Sequence, residues 1–201
     1  MAIYTNMTQV ASGNHGIAQS SLLKSTSNGH IWDVRVQEAK TESGTTTYTD
    51  IDVDNGTNIK VLGFTGTNGD LQERTGVVAG AKDKVGLVLS VPIVKDAFTK
   101  NQASETNFYV KAGELARVYE LQGDEFDPDI FGVGLQNFSN ADLSDVVVNA
   151  YVVVDGTGKW KAQAAAPSAS AYGFIGKIHS IQNGAFYTLV RIAVLQNKDV
   201  N

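Results

Sequence analysis

Residues 172–195 have the sequence YGFIGKIHSIQNGAFYTLVRIAVL, which predicts a β-hairpin. Two strand-like stretches, 172–181 and 186–195, flank Asn183-Gly184, a dipeptide typical of tight hairpin turns. On the returning strand an alternating set of side chains shares one face, namely Phe186, Thr188, Val190 and Ile192. The hairpin indicates antiparallel β-structure, and we expect it to be part of a small barrel or sandwich in the C-terminal half.

Strand-like sequence recurs along most of the chain. Apolar and β-branched stretches predict further strands at residues 31–36, 45–53, 58–64, 85–94, 108–121, 145–154 and 159–163. We expect the turn Asp54-Asn55-Gly56 to join 45–53 to 58–64 in a hairpin. Residues 95–101 are compatible with one or two helical turns. With 20 Gly and 3 Pro, the chain is predicted to be all-β and mainly antiparallel.

Composition divides the chain into three regions. Residues 1–30 are rich in Ser, Asn, Gly and Thr and poor in apolar residues, which predicts an extended N-terminal arm, either disordered or ordered along a neighbouring subunit. Residues 31–107 are predicted to form a β-rich N-terminal region, and residues 108–201 a compact β-barrel-like module. The last two regions are compatible with one shared core or with two.

Charge and composition argue against several kinds of partner. The chain has 16 basic and 21 acidic side chains, a net charge of -5 and no run of Lys or Arg, which disfavours nucleic-acid binding. It has no Cys, so disulfides and thiolate metal sites are excluded. No stretch approaches the roughly 18 apolar residues of a membrane helix, and no secretory signal is evident. We therefore expect a protein without nucleic-acid or membrane partners that stays in the cytoplasm where it is made.

Asp50, Asp52 and Asp54 form the first of two acidic clusters that are candidates for metal binding. They precede Asn55-Gly56 as the ligands of a calcium loop would, but the twelfth position of that loop is Val61 in place of a bidentate Glu. Their alternation favours the solvent-facing side of one strand.

The second acidic cluster lies in a proline-containing loop and comprises Asp124, Glu125, Asp127 and Asp129. Its carboxylates are close enough in sequence to hold a hard cation, or to supply the acid and base of a glycoside hydrolase. A solvated turn is the favoured interpretation, followed by a salt-bridge site for another subunit.

The remaining candidates form no chemical motif. His15, His30 and His179 lack the spacing of metal ligands, and no G-x-S-x-G stretch is present for a nucleophilic serine. Gly132-Val133-Gly134 lacks the third glycine of a dinucleotide site and predicts a turn. Core packing is favoured over a ligand groove for a set of aromatic side chains, Trp160, Tyr172, Phe174, Phe186 and Tyr187. We therefore assign no catalytic, metal-binding or cofactor-binding residue, and we expect no cofactor.

Residues 111–126, KAGELARVYELQGDEF, combine an Ala-Gly-Glu start, a strand and a Gly-Asp-x-Phe end. Three further elements follow in order, Gly158-Lys159-Trp160 after an apolar strand, FIGKI at 174–178 and YTLVRI at 187–192. In these segments, over about residues 108–195, the chain resembles the head decoration, or cement, proteins of tailed bacteriophages.

The resemblance implies a non-enzymatic virion protein on the capsid exterior, assembled in the cytoplasm of the host bacterium. Its partners would be the major capsid protein and neighbouring copies of itself. Other virion components are the alternative: a head-fibre base, a tail protein forming closed rings, or a carbohydrate-binding adhesion module with an aromatic groove. A more distant alternative is a glycoside hydrolase that uses the acidic loop near Asp127.

Overall fold

The computed structural model describes residues 15–23, 30–64, 73–91, 108–124, 126–141, 143–184 and 187–201. Within these ranges the chain forms β-strands and two short 3-10 helices, Leu135–Asn137 and Leu143–Asp145, but no α-helix. The predicted all-β, mainly antiparallel fold class is confirmed. The strands in chain order are β1 (Ala18–Leu22), β2 (Ile31–Glu42), β3 (Thr45–Asp50), β4 (Val53–Asp54), β5 (Asn58–Phe64), β6 (Glu73–Val78), β7 (Gly86–Val88), β8 (Tyr109–Val110), β9 (Leu115–Glu120), β10 (Ile130–Gly134), β11 (Tyr151–Val154), β12 (Trp160–Gln163), β13 (Phe174–Asn183) and β14 (Thr188–Asn197).

Five strands close into a barrel in the order β2-β6-β5-β7-β9, with β9 pairing back to β2. The neighbours are antiparallel except β2 and β6, which run parallel. The interior of so small a barrel is filled by side chains. Here these are mostly β-branched, and they include Val34, Val36, Ile59, Val88, Ala116 and Val118.

The C-terminal strands form a six-stranded sheet in the order β1-β10-β14-β13-β11-β12. The sheet is curled, as shown by a bridge pair between Trp160 on its edge strand β12 and Phe138, which follows β10 and the first 3-10 helix. Its centre is aromatic, with the rings of Phe131, Trp160 and Phe174 packed at centroid distances of 4.8 to 6.2 Å. We expected a small barrel or sandwich in this half; the barrel that strand pairing closes is formed by β2, β6, β5, β7 and β9.

Strands β8 and β9 join residues 108–120 to the N-terminal strands. β9 pairs with β2 and β7, and β8 pairs with β4. The predicted boundary at residues 107 and 108 therefore falls inside the barrel, since the ring needs β9 to close.

The turn after β2 is Ser43-Gly44, and the hairpin predicted through Asp54-Asn55-Gly56 is wrong. β3 folds back on β2, from the pair Gln37 and Asp50 to the pair Glu42 and Thr45. Ser43 and Gly44 have positive φ angles of 51° and 81°, as a primed hairpin turn requires. β5 pairs with β6 and β7 instead of β3.

Other predicted strands are shorter or divided. Of the stretch 85–94 the structure describes residues 85–91, in which the strand is β7 (Gly86–Val88), and 145–154 contains only β11 (Tyr151–Val154). The stretch 108–121 is divided by a turn in which Gly113 has a φ of 84°. Residues 95–101 lie outside the described residues. The hairpin at 172–195 is confirmed as β13 and β14, and 159–163 contains β12 as predicted.

The two sheets share a core through β7 and β9. Successive side chains of a strand point to opposite faces. Val88 and Val118 accordingly point into the barrel, while Leu87 and Tyr119 pack into the core of the C-terminal sheet. β7 is therefore buried on both faces, and so is β9 at Val118 and Tyr119, whereas Leu115 and Arg117 of β9 are exposed.

A buried polar contact, which we call the amide joint, links the two sheets. The Asn137 side chain, 4% exposed, accepts a hydrogen bond from the Ile17 N–H at 3.1 Å and donates one to the Asn55 carbonyl at 2.8 Å. The Trp160 indole N–H donates to the Gly56 carbonyl at 2.8 Å. The amide joint thus connects the segment before β1, the turn before β5 and the C-terminal sheet.

Part of the predicted N-terminal arm is a strand of the chain's own sheet. β1 pairs with β10, and Ile17 and Leu23 on either side of β1 are buried. Residues 1–14 and 24–29 of the predicted arm lie outside the described residues.

Replacing Trp160 by Phe should destabilise the protein by about 2 kcal/mol, because it opens a cavity and leaves the Gly56 carbonyl without its donor. Urea denaturation followed by circular dichroism measures the change. Lys161→Ala, an exposed site on the same strand, is the matched control and should change stability by less than about 0.5 kcal/mol. Equal effects of the two substitutions would show that the indole contributes no special stability.

Candidate functional site

The predicted row of carboxylates at Asp50, Asp52 and Asp54 does not lie on one strand. β3 ends at Asp50 and β4 begins at Val53, so the interpretation as one solvent-facing strand side is wrong. Asp52 accepts a hydrogen bond from the Ala112 N–H at 2.8 Å. The three carboxylates are instead hydrogen-bonded to three different segments of the chain.

Asp54 and His15 form a pair that the sequence spacing did not predict. The Asp54 carboxylate lies 2.7 Å from His15 Nδ1 and accepts a hydrogen bond from the Gly16 N–H at 3.0 Å. The His15 ring stacks on Tyr109 with centroids 4.7 Å apart. The pair fastens the start of the described N-terminal segment to β4 and β8.

The acidic loop uses two of its carboxylates for its own backbone. Asp129 is fully buried and accepts a hydrogen bond from the Gln122 N–H at 2.8 Å. Asp124 accepts one from the Phe126 N–H, also at 2.8 Å, while Asp127 is exposed. Glu125 lies outside the described residues. Across the described ranges, no group of three or more His, Asp or Glu side chains could hold a metal ion.

Two aromatic candidates belong to the core as predicted, since Trp160 and Phe174 are fully buried. Tyr172 and Tyr187 are half-buried, and the Tyr187 hydroxyl accepts a hydrogen bond from the Gln19 amide at 3.3 Å. Phe186 lies outside the described residues. His179 is exposed on β13.

The predicted turn at Gly132-Val133-Gly134 is wrong, because these residues lie within β10. Gly132 pairs with Gln19 of β1 and with Arg191 of β14. A Cβ at Gly132 would lie 3.0 Å from the Leu189 side chain. The glycine therefore permits close packing inside a central strand.

The β2–β3 hairpin projects beyond the barrel. Pairing of β2 with β6 ends at Gln37, so residues 38–49, which we call the ribbon, pair only with each other. Every residue of the ribbon is exposed. A free two-stranded hairpin is marginally stable in water, so the ribbon depends on its attachment to the barrel.

The two faces of the ribbon differ in charge. Cross-strand partners share a face, and one face therefore carries Glu38, Lys40 and Glu42 with three threonines opposite them. The other face is uncharged and consists of Ala39, Thr41, Thr46 and Tyr48. Tyr48 is 50% exposed and is the aromatic side chain of this face.

Arg35 holds the base of the ribbon. Its Nε donates to Glu73 of β6 at 2.6 Å, and its Nη1 donates to the Gly113 carbonyl at 3.1 Å and lies 3.6 Å from Asp50. The hydrogen bond to Glu73 raises the pKa of Arg35 above its usual value, so the guanidinium stays charged. These contacts fix the direction in which the ribbon leaves the barrel.

A pocket lies at the mouth of the barrel, lined by residues from all five of its strands, and has a volume of about 180 Å³. We call it the mouth pocket. Its charged wall contains Lys60, Arg74, Lys84, Glu120 and Asp199, and Trp32 supplies an aromatic surface. Barrel mouths are frequent ligand sites in proteins.

Arg74 lies between two aromatic rings in this pocket. Its guanidinium carbon is 3.6 Å from the centroid of the Trp32 ring and 4.5 Å from that of Phe64. The Arg74 Nε is buried and has no hydrogen-bond acceptor among the described residues. No local motif in the sequence signals this site, because its residues come from strands that are far apart along the chain.

The Glu120 carboxylate is shared by Lys84 and His30 at the pocket wall. It contacts the Lys84 ammonium and lies 2.5 Å from His30 Nδ1. Burial raises the pKa of Glu120, but the hydrogen bonds from Lys84 and His30 outweigh burial, so the net pKa lies below its ordinary value of 4.5. The ionised form is therefore the one that the fold stabilises.

Because the folded pKa of Glu120 is lowered, its contribution to stability should be complete above about pH 4.5 and should be lost as the pH falls through the folded value. At pH 6 we expect the free energy of unfolding of the Glu120→Gln variant to be about 1–2 kcal/mol lower than that of the unmodified chain. The difference should shrink toward pH 3. Urea denaturation across this pH range measures it, with Glu38→Gln on the exposed ribbon as control. If the difference in unfolding free energy between Glu120→Gln and the unmodified chain were the same at every pH, the lowered pKa of Glu120 would be contradicted.

Comparison with models of known families, with curated proteins and with solved structures finds no match to this chain. Within the described ranges, no helix has the length and apolar character needed to cross a membrane.

Proposed function

We propose that this chain is a non-enzymatic structural protein of a tailed-bacteriophage virion, which decorates and stabilises the capsid by binding the major capsid protein. The observation that carries the proposal is the exposed ribbon with its uncharged, tyrosine-bearing face. The resemblance of residues 108–195 to decoration proteins supplies the identity of the partner. On this proposal the protein assembles in the host cytoplasm and occupies the capsid exterior beside other copies of itself.

The edge strand of the ribbon is suited to pairing with another chain. Proteins usually protect exposed edge strands with Lys, Pro or a bulge. β3 has the sequence TTTYTD, contains neither Lys nor Pro, and keeps an unbroken register with β2. Such an edge can add to a sheet of a neighbouring subunit through backbone hydrogen bonds, with Tyr48 as an aromatic anchor.

Repetition strengthens a contact of this size. One ribbon provides only a few backbone hydrogen bonds and one large side chain, which is a modest interface. A capsid lattice presents the same site many times, and simultaneous contacts to neighbouring subunits raise the effective affinity without new chemistry. A rigid base at Arg35 keeps the orientation of each ribbon the same, so less entropy is lost on binding.

The segments that carry the resemblance occupy turns and core in this fold. Gly113 and Gly158 have positive φ angles of 84°, and Trp160 is fully buried. They support a related β-module, whereas the ribbon lies outside the resembling region. The ribbon would therefore be this chain's own addition to the module.

Cryo-electron microscopy of the protein mixed with expanded phage heads tests the proposal. We expect density at regular sites on the capsid exterior. Bare heads would overturn the proposal, and rings or tubes of the protein alone would favour a tail component. Bound glycan in place of capsid would favour an adhesion module.

Tyr48→Ala should weaken binding to the heads about tenfold or more, because it removes the aromatic anchor of the uncharged face. Co-sedimentation with heads measures the affinity. Lys40→Ala, on the opposite face of the same ribbon, is the matched control and should bind nearly as well as the unmodified chain. Equal binding by all three proteins would exclude the uncharged face as the contact.

A further inference from the structure

We infer that the mouth pocket binds a single carboxylate group of a partner polypeptide, held by the guanidinium of Arg74. The inference goes beyond the proposed function and does not depend on it, because any partner with an accessible acidic side chain supplies the same group.

The charges of the pocket leave one cation unmatched. Lys60 lies 2.5 Å from Asp83, and this hydrogen bond raises the pKa of Lys60. Lys84 contacts Glu120. Arg74 has no carboxylate partner within the part of the chain that the structure describes. Asp199 lies 3.7 Å from the Lys60 ammonium, so among the described residues Arg74 is the cation of the wall that is left to pair with a ligand.

The two rings beside Arg74 direct where a partner can bind. Trp32 and Phe64 cover faces of the guanidinium, so its N–H donors remain available only in its plane. A carboxylate meets a guanidinium in that plane, through two parallel hydrogen bonds. Trp32 is half-buried whereas Phe64 is 56% exposed, so an ion pair at Arg74 would be partly shielded from water and stronger than one at an open surface.

The buried Nε of Arg74 leaves the two Nη groups as the donors that a ligand can reach. Nε has no acceptor among the described residues, and its burial keeps an external oxygen away from it. A carboxylate would therefore bind at the Nη edge of the guanidinium. The arrangement resembles a preorganised half of an ion pair.

The volume of the mouth pocket and the charges in its wall favour one carboxylate side chain as the ligand. At about 180 Å³, the pocket is smaller than the roughly 300 Å³ at which sites for small organic ligands begin, so it suits one side chain. Glu120 and Asp199 in the wall would repel a second negative charge. A monoanionic carboxylate is therefore favoured over a phosphate dianion, and Val61 and Val85 can contact its methylene groups.

Fluorotryptophan NMR tests the inference directly, because the chain has 2 Trp. Trp32 lines the pocket, whereas Trp160 is fully buried in the core and reports on folding. We expect an N-acetylated, C-amidated Ala-Ala-Glu-Ala-Ala peptide to shift only the Trp32 resonance, with a dissociation constant of about 1 mM. The matched Ala-Ala-Gln-Ala-Ala peptide and inorganic phosphate should leave it unchanged at the same concentrations.

Arg74→Gln should weaken the peptide's effect tenfold or more while the Trp160 resonance stays in place. Arg74→Lys keeps the charge but loses the planar fork, and it should also bind more weakly than the unmodified chain. A Trp32 shift that is equal for the Glu and Gln peptides, stronger with phosphate, or unaffected in both variants would overturn the inference.

Discussion

The side-chain amide of Asn137 satisfies two backbone groups that burial removes from water, the N–H of Ile17 and the carbonyl of Asn55. Each of these groups would cost about 1–3 kcal/mol if left unpaired, so the segments can pack together only around that amide. Gly16 and Gly56 make the approach possible, because a Cβ at either residue would lie within 2.5 Å of Asn137 Nδ2. The order of β1, the barrel and the C-terminal sheet depends on this contact between segments distant in sequence.

The barrel holds both candidate sites in fixed positions through strands that it shares with the C-terminal core. β7 and the Val118–Tyr119 part of β9 pack into the barrel with one face and against the C-terminal sheet with the other, so these segments cannot shift without opening two cores. These strands carry Gly86 and Glu120 of the mouth pocket, and β2 and β6 provide the base of the ribbon. A fixed scaffold with a projecting hairpin is suited to binding a repeated surface, because little conformational entropy is lost on binding.

Local pattern predicted the elements whose partners are adjacent in sequence. The pairs β13–β14 and β11–β12 follow from alternating apolar residues on both sides of glycine-containing turns. The ribbon was missed because Asn55-Gly56 is the more typical hairpin dipeptide, although Ser43-Gly44 between β-branched stretches was a usable signal. Barrel closure and the position of Arg74 beside Trp32 have no local signature, because both arise from pairing of β2 with distant strands. Sequence periodicity fixes a strand's faces but not its neighbours.

Barrel closure also constrains how the chain can fold during synthesis. Residues Ile31–Arg35 of β2 pair with Leu115–Tyr119 of β9, so the first strand of the ring emerges from the ribosome roughly several seconds before the last, at usual translation rates. Until then β2 has one open side, and long-range pairing of this kind is slow to nucleate. Pairing of β1 is possible only later, because its partner β10 follows β9 in the chain. The nascent N-terminal half therefore has no closed native form of its own, and both cores must assemble nearly together once the chain through β9 and β10 is available.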